Sequence, residues 1–121
     1  MAHVRLINPP SLFDPTEHLY SHVSVVENPS RLIHVAGQIA VDKDGNTPED
    51  TVAQAKLALS NLRACLEAAG ASVRDICNLT VYSTDTDAPI WGEIGKFLTD
   101  DDGSHLPPAA VIPVPKLGAP Q

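Results

Sequence analysis

Apolar positions follow two periods along this chain, and the changes of period mark its elements. From Leu19 to Glu27, and again from Arg31 to Val41, aliphatic and β-branched residues alternate with polar ones, which predicts two strands. Asn28-Pro29-Ser30 between them predicts a turn, and so an antiparallel hairpin. The polar run Asp42-Lys43-Asp44-Gly45-Asn46 ends the second strand. A helix is then predicted from Thr47, with the Thr47 hydroxyl as cap, Pro48 at the first helical position and Asp50 completing a capping-box variant. Its stripe of Val52, Ala55, Leu59, Leu62 and Leu66 keeps helical spacing to about Ala69, where Gly70 supplies the stop. A strand over Ile76–Ser83 follows. A shorter helix near Pro89–Leu98 comes after the Asp85-Thr86-Asp87 cap region, and Gly92 and Gly95 weaken it. Asp101–Pro108 reads as a loop. The run Ala109–Val114, broken by Pro113 and Pro115, reads as a strand at an edge or end.

Composition narrows the function classes. A chain of 121 residues with 43% hydrophobic content has the size of one domain, residues 1–121, with a modest core. The net charge of -7, with the Asp100-Asp101-Asp102 run, opposes an electrostatic grip on a phosphate backbone, so no nucleic-acid partner is expected. No apolar stretch approaches a membrane span, and Met1–Pro10 has neither the basic start nor the apolar centre of a leader, so no membrane partner and a cytoplasmic location are expected. Cys65 and Cys77 lack metal or redox spacing and read as reduced structural residues.

Three segments carry a family resemblance: Val35-Ala36-Gly37-Gln38-Ile39-Ala40-Val41-Asp42, the helix from Gln54 through Leu66-Glu67-Ala68-Ala69-Gly70-Ala71-Ser72, and Thr80-Val81-Tyr82 with Asp85. In this order they resemble the Rid family, the YjgF/UK114 proteins of reactive imine and enamine metabolism, also called the L-PSP endoribonuclease family. The resemblance implies an α+β, chorismate-mutase-like fold: a mixed sheet with two helices packed on one face, assembled as a homotrimer with ligand clefts between subunits. The alternation of Leu32, His34, Ala36 and Gln38 against the apolar set Ile33, Val35, Gly37 and Ile39 fits a sheet face that needs a partner.

The resemblance also implies a site for a small 2-imino or 2-enamino acid. An arginine holds the carboxylate by paired hydrogen bonds, water attacks the imine carbon, and ammonia leaves. In Pro107-Pro108-Ala109-Ala110-Val111, Ala109 stands where that arginine is expected, Val111 where a cysteine is common, and Ala36 where a serine often precedes the Gly-Gln. The family's final strand is expected after Gly118-Ala119-Pro120, where this sequence runs out at Gln121. Tyr20 and Ser21 match the family's Tyr-Ser pair. With the Gly37-Gln38 backbone they are the expected ligand-binding residues, together with positions Ala109 and Val111. Tyr20 also has a structural reading, as an interface tyrosine, and Gly37 one as a point of close backbone approach. Acidic roles near Asp85 and Glu93 are weaker, since a helix cap and a solvated helix residue account for them.

The remaining chemistry is weaker. His18, Tyr20 and His22 on one strand side, with His34 across the hairpin, would bring imidazoles together without an acidic or cysteine ligand, so no metal and no cofactor are expected. No nucleophile-elbow motif accompanies the serines, and Asp42–Asn46 lacks the closing Glu of a calcium loop. Two readings stand. One is a hydrolase acting on imine, enamine or related C–N bonds, with Arg31 or Lys116 as a displaced carboxylate cation. The other is a divergent trimer that has lost deamination and binds a small molecule, or hydrolyses an amide or carbamate. Endoribonuclease or translation-inhibitor activity, also linked to the family, finds no support in the acidic balance.

Overall fold

In the computed structural model, which describes residues 4–85, 88–99 and 105–118, four short strands and two helices form an α+β fold. Strand β1 (Val4–Ile7) pairs antiparallel with β2 (Val23–Val26), and β3 (Leu79–Ser83) pairs parallel with β4 (Ala109–Pro113). Helix α1 (Thr51–Ala68) precedes β3, and α2 (Ile90–Thr99) lies between β3 and β4. A parallel pair needs a crossover, and α2 provides it. Residues 86 and 87 of the expected cap region, and 101–104 of the expected loop, lie outside the described residues.

The hairpin formed is not the predicted one. The partner of β2 is β1, four residues that sequence patterning does not mark, with Val4 opposite Val26 and Ile7 opposite Val23. Strand β2 is also shorter than Leu19–Glu27: Pro15–His18 is a 3-10 turn, and Leu19 closes it in the left-handed region at φ 69°. Arg31–Val41 is in no ladder; it is tied to α1 instead. The Arg31 Nη1 donates to the Ala69 carbonyl at 2.7 Å, and the Asn61 amide donates to the Ile39 and Val41 carbonyls at 3.0 Å each. Val35 packs on the chain's own core, so the set Ile33, Val35, Gly37 and Ile39 is not one free apolar face.

Helix α1 starts three residues later than its proline signal indicates. Asp50, extended at ψ 132°, accepts from the Ala53 amide at 2.9 Å and is the true cap. A carboxylate is a stronger cap than a threonine hydroxyl, and it sits well at the positive end of the helix. At the other end Ala69 caps and Gly70 turns left-handed at φ 75°. The Ala71 amide reaches back to the Leu66 carbonyl at 2.8 Å and the Gly70 amide to Glu67 at 3.0 Å, the paired bonds of a Schellman stop.

The core lies between the helices and the β3–β4 pair. Ile94 and Leu98 of α2 and Val73 are each 1% exposed, with Leu66, Ile76, Ile90 and Phe97 around them. Burying each large side chain stabilises by about 1.5–3 kcal/mol. Ala55, Leu59 and Leu62 line the α1 side of this cluster, as the stripe predicts, and Val111 of β4 joins it. Gly95 has a packing reason: a Cβ there would sit 2.8 Å from the Leu19 Cδ1, so the missing side chain lets the corner before β2 rest on α2. Among the described residues β4 pairs with β3 alone, and each of the two sheets has two strands. No described helix is long and apolar enough to cross a membrane.

Candidate functional site

The corner that carries Tyr20 and Ser21 is built by a ladder that cannot continue. After Ile7 opposite Val23, the register would bring Asn8 opposite His22. Asn8 precedes Pro9-Pro10, whose nitrogens cannot donate, so the side chain of Asn8 replaces the missing backbone pair. Its Oδ1 accepts from the His22 amide at 2.7 Å, and its Nδ2 donates to the Ser21 Oγ at 3.3 Å. The Tyr20 amide donates to the Pro15 carbonyl at 3.4 Å, a long bond that closes the 3-10 turn.

Ser21 is 3% exposed and Tyr20 half-buried, so the phenol is the accessible member of the pair. The Ser21 amide approaches the Pro107 carbonyl at 3.5 Å, bringing the start of β2 beside the segment that leads to Ala109. Ala109 is the first residue of β4, opposite Leu79, and presents only a methyl group there. Val111, two residues on, is half-buried and packs against the core cluster. Gly37 and Gln38 lie in the ladder-free segment; the Gln38 side-chain Nε2 donates to the Ala36 carbonyl of the same chain at 3.2 Å, and no described hydrogen bond joins them to Tyr20.

An aromatic group surrounds the corner. The rings of Phe13 and His22 stand edge to face at 5.0 Å, Tyr20 and His22 at 5.9 Å, and Phe13 and His18 at 6.4 Å. The His22 Nε2 is 3.0 Å from the Phe13 carbonyl, which fixes that nitrogen as the donor. Beside them, the Asp14 carboxyl is held below its usual value by bonds from the Thr16 hydroxyl and backbone amide, then by the charges of His18 and His22. His34 lies in the ladder-free segment, and the hairpin expected to set it opposite His18 and His22 does not form. Among the described residues no group of three His, Cys, Asp or Glu side chains can hold a metal ion.

The displaced cations fare unequally. The Arg31 guanidinium is occupied at the end of α1, with Nη1 on Ala69 and Nη2 at 3.5 Å from the Gly70 carbonyl. Lys116 is exposed beyond β4. Asp85 accepts from the Thr51 hydroxyl at 3.1 Å, a side-chain contact next to the start of α1. Glu93 pairs with Lys96 at 3.3 Å along α2 with its side chain only 12% exposed, so it is not the solvated residue the sequence suggests. Asn8 is the residue that sequence reading missed. An Asn before two prolines reads as turn punctuation, and only the register of β1 reveals it as a clamp.

The endoribonuclease L-PSP family model matches residues 14–121. The chain belongs to this family, the Rid proteins. It is 35% identical over 88 residues to the putative reactive intermediate deaminase TdcF of Escherichia coli K12, covering 71% of this chain and 68% of that one. It is 35% identical over 89 residues to the 2-iminobutanoate/2-iminopropanoate deaminase of the same organism, covering 71% and 69%. Among solved structures, a conserved Rid family protein of unknown function, YyfB from Yersinia pestis, superposes with a TM-score of 0.85 at 29% identity, over 98% of this chain and 90% of that one. Escherichia coli TdcF with bound serine gives a TM-score of 0.60 at 36% identity, over 69% and 67%. This Rid chain shares with these neighbours two helices and small sheets.

Proposed function

We propose that this Rid protein binds a small carboxylate-bearing molecule at the Tyr20 corner and has reduced or altered deaminase activity. Relatives named as imine deaminases, and a relative holding serine, support the substrate class. The observation that carries the divergence is Ala109: a methyl group at the start of β4, where the family resemblance implies a guanidinium. Alanine offers a carboxylate neither charge nor hydrogen bonds. Losing a charged contact of about 1.5–3 kcal/mol weakens binding on the order of tenfold to a hundredfold. Arg31 does not compensate, because its donors serve the α1 carboxyl end. Tyr20, and the Gly37-Gln38 backbone of a neighbouring subunit or the same one, border the ligand in this reading. Assembly is as a homotrimer with a chorismate-mutase-like sheet, and the compartment is the cytoplasm, which suits the free thiols of Cys65 and Cys77.

A second reading, a trimer that binds a ligand without turning it over, is favoured by the same Ala109. Restoring the guanidinium tests both. Ala109→Arg is expected to raise ammonia release from freshly generated 2-iminobutanoate above that of the unmodified chain. Equal, high release by both proteins would defeat the loss of an anchor, and equal absence from both would favour the purely binding role.

A further inference from the structure

Tyr20 has no element of its own to hold it. It follows a left-handed Leu19 and is separated from β2 by Ser21 and His22, and among the described residues its amide makes one long bond. What fixes the chain immediately after it is Asn8, whose carboxamide grips Ser21 through its hydroxyl and His22 through its amide. Both ends of that carboxamide are used, so the grip sets two successive residues at once. The His22 ring then stands against the Tyr20 ring at 87°, so the clamp also sets the aromatic neighbour of the phenol. On the opposite side Leu19 rests in the space left by Gly95 of α2.

We propose that Asn8 is a positioning residue for Tyr20: its side chain ends the β1–β2 ladder so that the phenol is presented to a ligand acceptor or donor instead of swinging with the loop. The inference rests on the reading of Tyr20 as a ligand contact given above. Ser21, buried beneath, belongs to the support and not to the contact surface. A hydroxyl buried at this level and already engaged by an amide serves the geometry of its neighbour.

The test is a double-mutant cycle read by NMR titration with 2-oxobutanoate, the hydrolysis product of 2-iminobutanoate and a stable probe. Tyr20→Phe and Asn8→Ala are each expected to weaken its affinity, by up to about tenfold for one hydrogen bond. The double variant should be no weaker than the worse single one, because both lose the same contact. Hydrogen exchange at the His22 amide gives a readout independent of ligand: protection is lost in Asn8→Ala and kept in Asn8→Asp, which preserves the acceptor and serves if the alanine variant fails to fold. Asn8→Asp should still weaken the probe at high salt, where repulsion is screened, because its carboxylate no longer donates to Ser21. Native affinity in both Asn8 variants, or losses that multiply in the double variant, would overturn the assignment of Asn8 while leaving the ligand reading standing. A native chain that takes up no 2-oxobutanoate, or a Tyr20→Phe variant that binds it unchanged, would overturn the ligand reading and this inference with it.

Discussion

At the scale of residues, the partners a group finds in the fold decide its role. Arg31 and Ala109 are the clearest contrast. A free guanidinium in the sequence is a candidate anchor, but in the fold it is bonded to the last carbonyls of α1, where a cation also suits the negative end of the helix. Asp14 gives a pH prediction. Its carboxyl is lowered by the Thr16 bonds and the nearby imidazoles, so its contribution to stability is complete above the ordinary carboxylate value of 3.8 and is lost as pH falls through the depressed folded value. Thermal unfolding of Asp14→Asn is therefore expected to lag the native protein at about pH 6 and to converge with it in strong acid. A constant gap at all pH values would show that the ionised carboxylate contributes nothing specific. The site is only partly legible at this scale. Resemblance points to Tyr20 and Ser21, whereas the burial of Ser21 involves Pro107 and Asn8, which are far apart in sequence.

Elements were read best where local chemistry decides them. The α1 stripe and the Gly70 stop hold, since spacing and a left-handed glycine are local properties. The start of α1 was misplaced because two capping signals compete within four residues, and the carboxylate at Asp50 wins over Thr47. Asp50→Ala should accordingly cost about 1 kcal/mol in denaturant unfolding, and Thr47→Ala close to nothing; the reverse order would restore the earlier start. Strand composition misled more. Arg31–Val41 is rich in β-branched residues, but a strand needs a partner, and its anchoring bonds run to α1. β1 escaped notice because Val4–Ile7 is too short to show an alternation, although it carries the ladder that Asn8 ends.

For the whole molecule, the apolar residues left outside the core bear on assembly. Leu32 is 74% exposed, Tyr82 56%, Ile39 40% and Ile112 38%, and these are side chains that the proposed trimer could cover. Light scattering is expected to give three times the chain mass of 12.8 kDa. A mass of one chain would end the trimer and the clefts between subunits.

The central claim, that this Rid chain works without the family's carboxylate anchor, is tested most directly by ammonia release from freshly generated 2-iminobutanoate, measured beside the Escherichia coli 2-iminobutanoate/2-iminopropanoate deaminase at equal concentration. The loss of a charged contact predicts a rate at least about tenfold below the relative's at subsaturating substrate. A rate equal to the relative's would contradict the account and direct the search for an anchor to Lys116.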